Sequence, residues 1–170
     1  VNIAFYVTAH GYGHAAREQA VIQALAQRGA QVFVRSAAPA KFFTAAVHHH
    51  VQRYDIGMIQ NGPMQVNPAA TVAAYQDILR SQPLLIRREV EFLRAQQIAL
   101  VVADMPPVAC EIAAAAGIPS VVLTHFTWDW IYAHYVDRFP AFKPIIRAIK
   151  ASYGKATLAL QMQIPIPHPF

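Results

Sequence analysis

The chain has 170 residues, 55% of them hydrophobic and 14% charged, enough apolar material for one domain burying roughly 70% of its unfolded surface. That composition excludes a disordered chain. The formal net charge of +5 comes from scattered basic residues, Arg87-Arg88 being the one adjacent pair; it argues against a nucleic-acid-binding stripe and for mild attraction of anionic ligands.

In chain order, Val1 to Thr8 is an apolar run of strand length rich in β-branched and aromatic residues, as in a sheet buried on both faces. Gly11 and Gly13 follow, permitting a sharp turn and close backbone approach to a ligand. From His14, Ala20, Val21, Ala24 and Leu25 recur at helical spacing, and Gly29 stands where a glycine ends helices. Gln31 to Ser36 reads as a second strand, Pro39 to Val47 as a short helix and Val51 to Ile56 as a third strand. A Gly, Asn and Pro loop from Gly57 to Pro68 precedes a long helical region, Ala70 to Gln97, expected to break near Pro83. Ile98 to Ala103 is a strand ending at Asp104, Pro107 to Ala116 a helix closed by Gly117, and Ser120 to Thr124 a further strand. Trp128 to Arg138 and Ala141 to Tyr153 read as helices separated by Pro140, followed by an apolar strand from Thr157 to Met162.

This alternation predicts an α/β fold, a Rossmann-like three-layer α/β/α arrangement with a mostly parallel sheet in the strand order 3-2-1-4-5. The expected lobe covers residues 1–163. Alternating prolines in 164–170 prevent regular structure and read as the start of a linker.

The single cysteine, Cys110, excludes an internal disulfide framework and fits a reducing compartment. No apolar stretch reaches transmembrane length without Pro, Gly, Asp or Arg, and no charged segment precedes an apolar core at the N-terminus, so a cytoplasmic location is expected.

The glycine turn supports two chemistries. Gly11-x-Gly13-x-x-Ala16 formally satisfies a dinucleotide fingerprint, and Arg35-Ser36 after the second strand could hold the 2′-phosphate of NADP. In that fingerprint, however, the first glycine comes at the strand end, whereas here Ala9 and His10 intervene and His14 takes a position facing the ligand. Asp104, at the end of the fourth strand, would meet His14 across the crevice between strands one and four. A carboxylate accepting one imidazole N–H fixes the tautomer and leaves the other nitrogen as a base.

With these residues in view, Gly11-Tyr12-Gly13-His14-Ala15-Ala16-Arg17 resembles the glycine–histidine loop of GT-B glycosyltransferases. Within that superfamily the chain looks like the glycosyltransferase-like proteins related to the N-terminal region of plant L-arabinokinase. The likeness extends to Asp55-Ile56-Gly57-Met58-Ile59-Gln60, to Asp104-Met105-Pro106-Pro107-Val108-Ala109-Cys110 and to Phe126-Thr127-Trp128-Asp129-Trp130-Ile131-Tyr132. It implies a two-lobed fold with this chain as the acceptor-binding N-terminal lobe, a nucleotide-sugar donor held mainly by a second lobe, and a half that is inactive alone. It further implies His14 as the base and Asp104 as its support. Arg17 stands where many relatives have proline. The implied partners are a nucleotide sugar and a small-molecule or glycoconjugate acceptor, with no nucleic acid, metal or cofactor.

Each residue also has a structural role open to it. His14 can cap a helix, His10 can be a solvated turn residue, and Asp104 can cap the segment before Pro106-Pro107. Arg17 beside a helix N-terminus calls for a partner such as Glu18 or another carboxylate, or for a ligand phosphate. His125 and Asp129 lie on the same rim, where Asp129 could bond hydroxyls while at least one of Trp128 and Trp130 packs in the core. His48-His49-His50 reads as a solvated helix end, since consecutive residues diverge. Cys110 reads as a buried small residue. No serine nucleophile elbow, HExxH or Walker loop occurs. Besides glycosyl transfer, an NADP-dependent oxidoreductase domain and a non-catalytic sugar-sensing lobe fused to a sugar kinase remain open.

Overall fold

A computed structural model describes residues 1–43 and 47–162. Its elements in chain order are β1 (Asn2–Val7), α1 (Tyr12–Gln27), β2 (Gln31–Arg35), a single 3₁₀ turn (Ala40–Phe42), β3 (Val47–His50), β4 (Gln60–Gly62), β5 (Gln65–Val66) and α2 (Pro68–Ala95). They continue with β6 (Ile98–Asp104), α3 (Val108–Ala116), β7 (Ser120–Thr124), α4 (Trp128–Ala133), α5 (Phe142–Tyr153) and β8 (Leu158–Gln161). Six strands form a parallel sheet in the order β3-β2-β1-β6-β7-β8, and β4 pairs with β5 as a separate antiparallel ribbon. The α/β/α Rossmann-like architecture is therefore present, with β8 extending the expected order by one edge strand.

Strand β1 shows why both faces need cover. Ile3, Phe5 and Val7 point to one side and pack with Val32, Val34, Ala15 and Ile22 of α1. Ala4 and Tyr6 point to the other, where Val108, Ala109, Ile112 and Leu93 from α3 and α2 close over them. A third cluster joins Trp128, Tyr132, Phe142, Ile145 and Ile149 to Tyr75, Met58 and Met105. Residues 142, 145 and 149 recur at helical spacing, so α5 buries one stripe and exposes the rest.

Four expected boundaries need correction. The third strand is Val47–His50, not Val51 to Ile56. Its histidines are strand residues: His48 stacks on Phe33 at 4.6 Å and His49 Nε2 bonds Ser36 O at 2.9 Å. The helix expected over Pro39 to Val47 reduces to the 3₁₀ turn, with residues 44–46 outside those described. Helix α2 runs unbroken through Pro83, held by the Asn67 cap, whose side chain accepts from Ala70 N at 2.9 Å, and by burial of Tyr75 and Leu93 on either side of the proline. Helix α4 stops at Ala133, five residues short of the expected Arg138. The segment expected to be a linker lies outside the described residues. Among those described, no helix is long and apolar enough to cross a membrane.

Candidate active site

The site forms where β1 and β6 end side by side, with Val7 opposite Asp104 in the register. Leaving β1, Thr8 N donates to Asp104 O at 3.1 Å. Its hydroxyl donates to Asp55 Oδ1 at 2.8 Å and accepts from His10 N at 3.1 Å. Gly11 then adopts φ 83°, a conformation that favours glycine, and the chain enters α1 at Tyr12, two residues before the expected start. That turn places His14 in the first helical turn, facing the sheet.

His14 Nδ1 lies 2.9 Å from Asp104 Oδ1 and 3.1 Å from Oδ2. A carboxylate only accepts, so Nδ1 carries the hydrogen and Nε2 is left without it in the neutral ring. The imidazole keeps a small opening to solvent, with 13% of the side chain exposed, while Asp104 is fully buried. Arg17 Nη2 reaches Asp104 Oδ1 at 2.6 Å, and its Nε reaches Glu18 Oε1 at 3.2 Å. Arg17 therefore bridges two buried carboxyl groups from its place near the helix N-terminus. Phe126 packs edge-on against the His14 ring at 6.2 Å.

His10 sits beside this centre. Its ring meets Trp128 edge-on at 5.3 Å and leans on Gly57, leaving no room there for a side chain, which the positive φ of 61° also disfavours. Burial, with His14 and Arg53 nearby, holds His10 below the usual imidazole range. A cleft of about 290 Å³ opens here, lined by Ala9, His10, Arg53, Asp55, Met58 and Gln60 among others. Both oxygens of Asp55 are occupied, Oδ1 by Thr8 and Oδ2 by Trp128 Nε1 at 2.9 Å. Burial pushes the Asp55 carboxyl up to about 6, against the pull of those two donors.

The other residues singled out in the sequence fall elsewhere. Gly13 is exposed in α1, with no atom within 4 Å of where a Cβ would stand. His125 Nδ1 faces Met162 O at 3.3 Å, at the end of β8. Asp129 lines a different cleft, of about 280 Å³, with Lys150 and Tyr153. Arg35 is not available for a 2′-phosphate: it bonds Glu89 through Nε at 3.0 Å and through Nη2, and its guanidinium lies 3.9 Å from the centre of the Phe92 ring. Tyr6 and Tyr54 donate to the same Glu89 at 2.8 and 3.0 Å. Sequence reasoning assigned no site role to Thr8, Asp55 or Glu18. Helical spacing from His14 to Glu18 was a usable signal, because residues four apart share a face. Asp55 opens one of the segments that carry the family likeness, but its role is not legible locally, since its partners are 47 and 73 positions away.

No protein-family model matches the chain. Over 139 residues, 78% of its length, it is 37% identical to L-arabinokinase from Arabidopsis thaliana, of which it spans 13%. Among solved structures, MurG from Acinetobacter baumannii superposes with a TM-score of 0.59 over 99% of this chain and 43% of that one, at 14% identity. The calicheamicin glycosyltransferase CalG4 gives 0.57 over 89% of this chain and 42% of its own, at 19% identity. The chain has the fold of one GT-B lobe. This GT-B lobe spans less than half of each structure it matches, and in sequence it is related to L-arabinokinase. The His14–Asp104 pair thus lies at the C-terminal rim of the lobe's parallel sheet, where ligands of open α/β sheets gather.

Proposed function

We propose that this chain is the acceptor-binding lobe of a glycosyltransferase, with His14 as general base and Asp104 orienting it. The observation that carries the reading is the 2.9 Å contact from His14 Nδ1 to a fully buried carboxylate, which leaves Nε2 as proton acceptor. In the reaction, Nε2 takes the proton of an acceptor hydroxyl as its oxygen bonds to the anomeric carbon of a nucleotide sugar. The bond from that carbon to the nucleoside diphosphate breaks, and the electron pair leaves with the diphosphate. His10 and the backbone around Gly11 and Gly13 contact the acceptor, with His125 and Asp129 on the outer rim. Arg17 holds the carboxyl groups beneath His14. The donor is bound mainly by a second lobe reached through residues 164–170, and proton transfer with displacement requires no redox cofactor. The setting is cytoplasmic, in keeping with the one buried free cysteine, Cys110.

In the complete protein, His14→Ala lowers turnover at least about a hundredfold, and near-normal turnover would remove His14 from the role of base. A second reading, a sugar-sensing lobe attached to a sugar kinase, is favoured by the identity with L-arabinokinase. In that case the complete protein binds sugar or nucleotide sugar without transferring it, and His14→Ala weakens binding alone.

A further inference from the structure

Below His14 lies a second acid that the proposed reaction does not use. Glu18 is one helical turn along α1 and is fully buried. Its Oε1 accepts from Arg17 Nε at 3.2 Å, and the same guanidinium reaches Asp104 Oδ1 at 2.6 Å. One cation thus serves two buried carboxyl groups. The charged groups acting on Glu18 are Arg17 on its own helix and Asp104 on β6; Asp104 in turn contacts His14, and both act on Asp55 beyond. With both acids ionised and His14 neutral, the cluster of Arg17, Asp104 and Glu18 carries one uncompensated negative charge away from water, a costly arrangement.

The second oxygen, Glu18 Oε2, is buried and has no hydrogen-bond donor among the described residues. Arg17 brings the Glu18 carboxyl beside that of Asp104, another acceptor, whose charge favours a proton on Glu18. Two carboxylates gathered on one guanidinium repel, whereas a single hydrogen shared between them satisfies both.

We propose that Glu18 is a positioning residue that carries a proton donated to Asp104, so that one proton and one guanidinium together hold two buried carboxyl groups and keep Asp104 aimed at His14. The inference rests on the reading of His14 as base for its consequence, though not for its geometry. Burial, reinforced by Asp104 and opposed by Arg17, pushes the Glu18 carboxyl up to about 7, in accord with a protonated acid in mildly acidic solution. The sequence HAARE from His14 to Glu18 then encodes the base, the guanidinium and the proton-holding acid within one turn.

The test reads protonation and geometry rather than turnover, so its failure is separate from failure of the glycosyl-transfer reading. In the complete protein at pH 6, difference infrared spectroscopy detects the carbonyl stretch of a protonated buried carboxyl group. Asp55 is half-protonated at that pH and contributes to the band, so the comparison is made in an Asp55→Asn background, where the band is lost on adding Glu18→Gln and otherwise fades by pH 8. With nitrogen-15-labelled histidine, the hydrogen-bonded His14 Nδ1 proton is retained in Glu18→Gln, whose amide can still donate to Asp104. It is broadened or lost in Glu18→Ala, which leaves Asp104 held by Arg17 alone. A pH 6 band indifferent to Glu18→Gln overturns the proposal, and so does a His14 signal unchanged in Glu18→Ala. Should Glu18→Ala fail to fold, the infrared comparison with Glu18→Gln decides alone.

Discussion

Gly57→Ala is the sharpest available probe of how His10 is held. A Cβ at Gly57 would stand 2.3 Å from His10 Cγ and Nδ1 and 2.7 Å from His10 Cβ. Ordinary contact begins near 3.4 Å, so the imidazole has to move by roughly 1 Å or more. It cannot do so freely, since its ring is wedged against Trp128, which is anchored by its indole N–H on Asp55 and is 1% exposed. The backbone adds a second cost, because φ 61° disfavours an L side chain by about 1–2 kcal/mol. Overpacking adds about 1–3 kcal/mol, giving a total of about 2–5 kcal/mol and a fall in Tm of roughly 4–20 °C for a chain of this size. The assay is thermal unfolding followed by circular dichroism, with Gly29→Ala as the control. Gly29 also has positive φ, 84°, but open space around its Cβ position, so it reports the backbone cost alone. The double variant His10→Gly/Gly57→Ala should regain the packing component. A Gly57→Ala protein no less stable than Gly29→Ala would refute the packing of His10 on Gly57.

Two further predictions concern buried carboxyl groups. For Asp55, the folded value of about 6 lies above the usual unfolded value of about 3.9, so the folded state binds the extra proton between them. Its contribution to stability is fully present below about pH 4 and is lost as pH rises through 6, a decline of roughly 3 kcal/mol; comparing Asp55→Asn with the unsubstituted protein from pH 4 to 8 should show that decline flattened, and parallel profiles would contradict it. Glu89→Ala strands Arg35, Tyr6 and Tyr54 around an empty acceptor site and should cost about 3–5 kcal/mol in urea unfolding, with a loss under 1 kcal/mol counting against the network as a structural anchor.

Much of the sheet was legible because strands buried on both faces are written as apolar runs. Val1 to Thr8 and Ile98 to Asp104 could be placed within a residue or two, and Gly117 marked the end of α3 with φ 73°. Strand β3 was hidden because an edge strand can carry polar side chains: its Val-His-His-His sequence lacks an apolar run, and its bonds to Ser36 and stacking on Phe33 are tertiary. The apolar-looking segment after it instead sends Tyr54 to Glu89 and Asp55 to Thr8 and Trp128. The proximity of His14 to Asp104 could be read because His14 opens the helix that follows β1 and Asp104 ends β6, strands that the topology makes neighbours. Arg35 was misleading because a basic residue after the second strand has two uses, and its partner on α2, 54 positions away, is invisible to local pattern.

The contact between His14 and Asp104 spans 90 positions and depends on two parallel strands meeting in one register. Parallel pairing of distant segments is slow, since a long loop must close before any contact rewards it. Nothing resembling the site can therefore exist on a nascent chain until β6 has emerged and docked beside β1. A one-residue slip of that docking would turn Asp104 to the opposite face of the sheet and separate it from the imidazole. Acquisition of the His14–Asp104 bond is accordingly a reporter of correct assembly of the whole lobe, and it should appear during refolding together with native sheet structure rather than with early helix.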